Sequence, residues 1–125
     1  MSQYITEVID LHIQIEALFA RGEGSSAELM KHFAPSFTMV TTAGVAISVE
    51  QVATLFDSQA GKRPGLQVEV SEVEIVAQWE TGAVLAYRET HRTPGQPPRS
   101  RLSTALFDLQ CEKPLWRHLH ETICP

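Results

Sequence analysis

Few of the usual functional signatures occur in this chain of 125 residues. It has two cysteines, Cys111 and Cys124, and they are not in C-x-x-C spacing. That argues against a disulfide-framed secreted fold and predicts two free thiols in a cytoplasmic protein. No apolar run approaches the roughly 20 residues needed to cross a bilayer, so no membrane association is expected. Residues Met1–Asp10 include acids and no basic cluster ahead of an apolar core, unlike a secretory signal. The basic residues are scattered, the net charge is −5 and the pI is about 5.5. Such a surface repels phosphate backbones, so no nucleic-acid partner is expected. Gly22-Glu23-Gly24 lacks the third glycine of a dinucleotide loop and follows a predicted helix where a strand is required. There is no P-loop and no nucleophile elbow. No cofactor is expected. Repeats, low-complexity runs and linkers are also missing, which leaves one domain over residues 1–125.

What is present is ordinary globular composition, 43% hydrophobic and 20% charged. Residues Gln3–Arg21 read as a helix. At 100° per residue, Thr6, Glu7, Asp10, Gln14 and Arg21 form a polar strip, and Ile5, Val8, Ile9, Leu11, Ile13, Ile15, Leu18 and Phe19 form a wide apolar arc. Gly22 and Gly24 end it. Ser25 with Glu28 has capping-box spacing and starts a short second helix that should end near Phe33, because Pro35 disfavours helix at Ala34. Phe37–Thr42 and Val45–Ile47 read as short strands. Ser48 with Gln51 repeats the capping box ahead of a third helix, Val49–Asp57.

From Leu66 the pattern changes to period two. Leu66, Val68 and Val70 share one parity, while Val73, Ile75, Ala77 and Trp79 share the other. One slip of parity, near Ser71-Glu72, predicts a β-bulge and a bent strand. Ala83–His91 is the next strand, Thr93–Pro98 a proline-rich turn, Arg101–Leu109 another strand, and Leu115–Ile123 the last. Helices ahead of a meander of long strands predict an α+β fold: a strongly curved antiparallel sheet wrapped around the N-terminal helices, with a pocket on its concave face.

The order resembles the nuclear transport factor 2-like superfamily, the cone-shaped fold of ketosteroid isomerases, scytalone dehydratase and SnoaL-type polyketide cyclases. The stretches carrying the resemblance are F-A-P-S-F-T-M-V at Phe33–Val40, R-P-G-L at Arg63–Leu66, Y-R-E at Tyr87–Glu89, R-L-S-T at Arg101–Thr104 and W-R-H-L-H-E-T at Trp116–Thr122. The resemblance implies the cone fold and a homodimer. It assigns no activity, because this fold hosts enzymes, carriers and assembly modules. Neither the aspartate, tyrosine and acid of a ketosteroid isomerase nor the histidine pair, aspartate and two tyrosines of scytalone dehydratase can be placed on this chain.

Several polar residues stand where apolar ones are expected. His12 and Glu16 lie one turn apart within the apolar arc. Either they bond each other or nearby backbone and fix the helix, or they line the pocket. Tyr87, Glu89 and His91 share a strand face. A regular hairpin would set Glu89 opposite Arg101 and Tyr87 opposite Ser103, as a structural pair or as a polar pocket wall. His118 and His120 alternate onto one face with Trp116. An H-x-H pair without a third ligand is a weak metal signal, so no metal is expected. The candidate ligand-binding residues are therefore His12, Glu16, Tyr87, Glu89, Arg101, His118 and His120. The preferred reading is a homodimeric domain that binds a small molecule. A second reading is a cofactor-independent isomerase, dehydratase or cyclase with Glu16 or Glu89 exchanging a proton and His12 or His120 as its partner. A third is a non-catalytic interaction module whose pocket is filled by its own side chains.

Overall fold

The computed structural model describes residues 2–125. Helix α1 runs over Gln3–Arg21, α2 over Ser26–Met30 and α3 over Val49–Gln59; the strands are β1 (Phe33–Val40), β2 (Ala46–Ser48), β3 (Gln67–Trp79), β4 (Gly82–Arg92), β5 (Arg99–Gln110) and β6 (Lys113–Ile123). They form one six-stranded sheet in the order β2-β1-β6-β5-β4-β3. The α+β expectation holds, with one change. The sheet is mixed, because β1 runs parallel to β6 while the other neighbours are antiparallel.

Local chemistry sets most boundaries. The Ser2 side chain accepts from the Tyr4 N–H, and Ser25 accepts from Glu28, so each satisfies a free donor at a helix start. Ser48 and Gln51 form a full capping box on α3. Gly22, at φ 66°, ends α1 in the left-handed conformation that glycine adopts without strain. β1 begins at Phe33, four residues before the expected Phe37. Pro35 lies inside it, and the β1–β6 register is broken between Phe33 and Thr38, where a residue without an N–H costs no ladder bond.

Bulges shape the sheet. In β3 the register shifts between Ser71 and Glu74, where Glu72 has φ 55°, at the expected parity slip, and again between Ile75 and Ala77. In β6 a shift falls at Arg117: Phe107 pairs with Trp116, but Leu106 pairs with His118. The hairpin joining β5 to β6 turns through Cys111 and Glu112, both with positive φ, as a tight two-residue turn requires.

The core lies between α1, α3 and the concave face. Tyr4, Val8, Leu11, Leu18 and Phe19 meet Leu85, Tyr87, Phe107 and Trp116 there, all buried. The apolar arc of α1 is narrower than its sequence suggests. Ile13 is 60% exposed, whereas Glu7, from the polar strip, is buried. Glu7 turns inward because it has partners: its Oε2 accepts from His32 Nδ1 at 2.6 Å and from Trp116 Nε1 at 3.0 Å.

Candidate functional site

α1 presents Leu11, His12, Ile15 and Phe19 to the sheet. β1 adds Phe33, Phe37 and Met39, and α3 adds Val52, Leu55 and Phe56. Between these and β4–β6 lies a cavity of about 110 Å³, whose remaining lining is Glu89, His91, Arg101, Trp116, Leu119 and Glu121. Most of the wall is aliphatic or aromatic. The polar side chains converge from four elements: α1, β4, β5 and β6. The register pairs Glu89 with Arg101 and Tyr87 with Ser103, as the hairpin reading required.

Two hydrogen-bonded groups make up the polar part. In the first, His12 Nδ1 lies 2.7 Å from the Val8 carbonyl and Nε2 lies 2.9 Å from Glu89 Oε1. A carbonyl can only accept, so Nδ1 carries a hydrogen. Nε2 faces a carboxylate, so the pair shares one more proton than a neutral ring and an ionised acid would hold. The other oxygen, Glu89 Oε2, bonds His91 Nε2, and His91 Nδ1 lies 3.4 Å from Arg63 Nη1. In the second group, Glu121 accepts from Arg101 Nη1 at 3.1 Å and from Ser103 Oγ at 3.2 Å.

The surroundings push these groups in different directions. Burial opposes charge on His12, but the facing Glu89 carboxylate and the bonds to Glu89 and Val8 outweigh it and raise its pKa. Burial alone would raise Glu89, yet the charge and hydrogen bond of His12, then those of His91, hold it well below the usual carboxylate range. Glu121 is raised, chiefly by burial and then by the neighbouring Glu89 charge, against the pull of Arg101 and Ser103. Tyr87 is raised by burial and by Glu89 and Glu121. Its hydroxyl is buried with no partner in hydrogen-bonding geometry, although Ser103 stands opposite it.

Of the expected site residues, the structure brings His12, Glu89 and Arg101 together at the cavity. The others go elsewhere. Glu16 does not line the cavity: its Oε1 accepts from the Val68 N–H at 2.6 Å and so fixes the start of β3 against α1. Tyr87 is buried behind the lining, its ring edge-on to His12 at 5.3 Å. His118 and His120 are turned to the opposite face by the bulge at Arg117, since one extra residue reverses every later side chain. His118 Nδ1 bonds Thr38 Oγ1 there, and His120 is exposed. The same bulge carries Leu119 and Glu121 inward. Glu121 was missed in the sequence, and the only signal for it was Leu119, an apolar residue at the parity opposite to Trp116. Among the described residues no group of three or more His, Cys, Asp or Glu is placed to hold a metal ion.

A curved sheet closed over by N-terminal helices, with an apolar cavity ending in buried charged groups, defines a small cone-shaped α+β domain. The chain belongs to the nuclear transport factor 2-like family. It is 35% identical to an NTF-2 like protein of unknown function from Pseudomonas aeruginosa, with a TM-score of 0.94 over 99% of this chain and 100% of that one. It is also similar to the association domain of C. elegans CaMKII, at 14% identity and TM-score 0.76 over 96% of this chain and 93% of that one. A putative scytalone dehydratase from Novosphingobium aromaticivorans matches at 11% identity and TM-score 0.76, over 98% and 82%. These two distant likenesses show the fold alone. No protein-family model matches the chain, and no curated protein does.

Proposed function

We propose that this domain binds a small, mostly apolar molecule with one polar end, and does so as a homodimer. One observation carries the binding reading: an apolar cavity of about 110 Å³ ends in Glu89, His91, Arg101 and Glu121, drawn from three strands and still open to an entering molecule. Burying several charged groups at one spot costs stability, and a core that needed no ligand would have no reason to keep both the charges and the space. An enclosed dry cavity of ~150 Å³ holds benzene; at about 110 Å³ this one takes most of a six-membered ring, the rest reaching through its open side. The test is thermal unfolding with a panel of monocyclic aromatic compounds. A binder should raise the melting temperature in proportion to ligand excess, and Ile15→Phe, which extends a lining residue into the cavity, should abolish the rise. A panel that leaves the wild-type protein unchanged would contradict the reading.

Dimerisation is supported by the convex face, where Leu102 is 52% exposed and Val84, Ala86 and Leu106 are only half-buried. A monomeric mass in light scattering at micromolar concentration would refute it.

A second reading, proton-transfer catalysis, is favoured by one feature. Glu89 is held ionised while Glu121, close by, is pushed towards its protonated form. Pairs of carboxyl groups driven apart in this way divide the roles of base and acid. In that case Glu121→Gln would remove turnover of a carbonyl substrate while the fold survives; retained turnover would exclude Glu121 as the acid.

A further inference from the structure

We infer that the polar end of the cavity is shaped for a primary carboxamide, or for a carboxylic acid that brings its proton, at the end of the small apolar body. This rests on the binding reading above and names the group that reading left open.

The first support is a count of unspent hydrogen-bonding capacity. Each oxygen of Glu89 takes one imidazole and each oxygen of Glu121 takes one donor, so both carboxylates keep lone pairs; both nitrogens of His12 are spent on Val8 and Glu89, and those of His91 face Glu89 and Arg63. The Ser103 hydrogen is on Glu121. Arg101 uses only Nη1, on Glu121 Oε1, and a guanidinium has five N–H donors in a planar fork. What remains at the cavity is lone pairs on the two carboxylates and spare donors on Arg101, which lie directly beside the lone pairs of Glu121, its hydrogen-bonded partner. The complement of a donor beside an acceptor is an acceptor beside a donor, held in one plane. A carboxamide offers this as C=O beside N–H, and a carboxylic acid as C=O beside O–H.

The second support is charge. Around Glu121 stand Arg101 from β5, Glu89 and Tyr87 from β4 and His12 from α1, with His91 lining the same cavity. Glu89 is balanced by His12, and Glu121 by Arg101. Among the groups lining the cavity the charges therefore cancel, and Arg63, outside the lining, stands behind His91. A bare carboxylate would add uncompensated negative charge beside two buried acids, and an ammonium would add positive charge beside Arg101 and His12. A neutral planar group avoids both costs. A carboxylic acid fits only with its proton, which would lie between its oxygen and Glu121.

The experiment compares benzamide, acetophenone and benzoate, which share one ring and nearly one shape. Binding is followed by NMR through the methyl signals of Met39 and Leu119, which line the cavity. Acetophenone keeps the acceptor and replaces the amide N–H₂ by a methyl. Benzamide should bind ~10-fold or more tightly than acetophenone, the effect of a hydrogen bond to a charged acceptor. Benzoate affinity should fall about tenfold per pH unit above that acid's own pKa, because one proton enters with it. Glu121→Met should erase the benzamide preference while acetophenone still binds. Equal affinity for benzamide and acetophenone, or benzoate binding that ignores pH, would overturn the inference and leave the binding reading standing. No shift from any of the three compounds would contradict both.

Discussion

Arg88 and Glu89 are neighbours on β4 and live in different solvents. Arg88 points to the convex face, where it meets Glu72 and Cys124 at the surface. Glu89 points to the concave face and is 6% exposed, with His12 on one oxygen and His91 on the other. Both residues are charged and both are paired. On the convex side the pair is screened by water and exchangeable for water. On the concave side the same kind of pair is an obligation, because a lone buried charge has no solvent to fall back on. Strand alternation alone decides which rule applies.

The largest expected effect follows from that contrast. Glu89→Ala leaves His12 in the core without its acceptor and should cost about 3–5 kcal/mol in denaturant unfolding, while Arg88→Ala should give no measurable change. A similar loss at both positions would remove the distinction between the faces.

Next in size is the pH dependence of the same pair. The folded pKa of His12 is raised, so its contribution is fully present below the unfolded histidine value of about 6.5 and is lost as pH rises through the raised value. The folded pKa of Glu89 is depressed, so its contribution is present above the unfolded glutamate value of about 4.3 and is lost as pH falls below it. These are two views of one interaction and are not additive. The contribution of this pair should therefore pass through a plateau between these two unfolded values and decline on either side. It is best read in a Glu121→Gln background, because Glu121, whose folded pKa is raised, costs stability as pH rises above the unfolded glutamate value. In Glu89→Gln the alkaline decline should vanish. If it persists unchanged, His12 is not the group responsible.

A smaller effect sharpens the concave side itself. Tyr87 keeps a buried hydroxyl without a partner. Tyr87→Phe should be neutral or stabilising by about 1 kcal/mol, since removing an unsatisfied group relieves its desolvation cost. A clear loss of stability would mean that the hydroxyl is bonded after all. The smallest effect belongs to the convex side: His120→Ala should stay within about 0.5 kcal/mol, as for other surface sites. A core-sized penalty there would mean that the bulge at Arg117 does not reverse the strand.

That bulge marks the limit of what the sequence makes legible. The bulge near Ser71-Glu72 is readable because apolar residues sit on both sides of it, at opposite parities. Capping boxes are readable because their signal is local. After Trp116, however, His118, His120 and Thr122 alternate with Leu119 and Glu121, so only Leu119 argues for the inverted phase. Two misplaced histidines and the missed Glu121 all follow from that single residue of slip. Glu16 fails for another reason. Its place on α1 is readable, but the Val68 N–H that it meets is 52 residues away. Glu7 is the mirror case, a residue on the polar strip drawn inward by His32 and Trp116. The parallel pairing of β1 with β6 likewise has no local signature.

The protonation state of His12 tests the charge balance of the cavity most directly. Its two ring nitrogens can be followed by nitrogen NMR across pH, with His12→Gln used to assign the signals. The expected result is an imidazolium that keeps both N–H hydrogens beyond the pH at which an ordinary histidine loses one. A ring that turns neutral at or below about 6.5, the unperturbed value, would contradict the ion pair with Glu89 and the charge balance built on it.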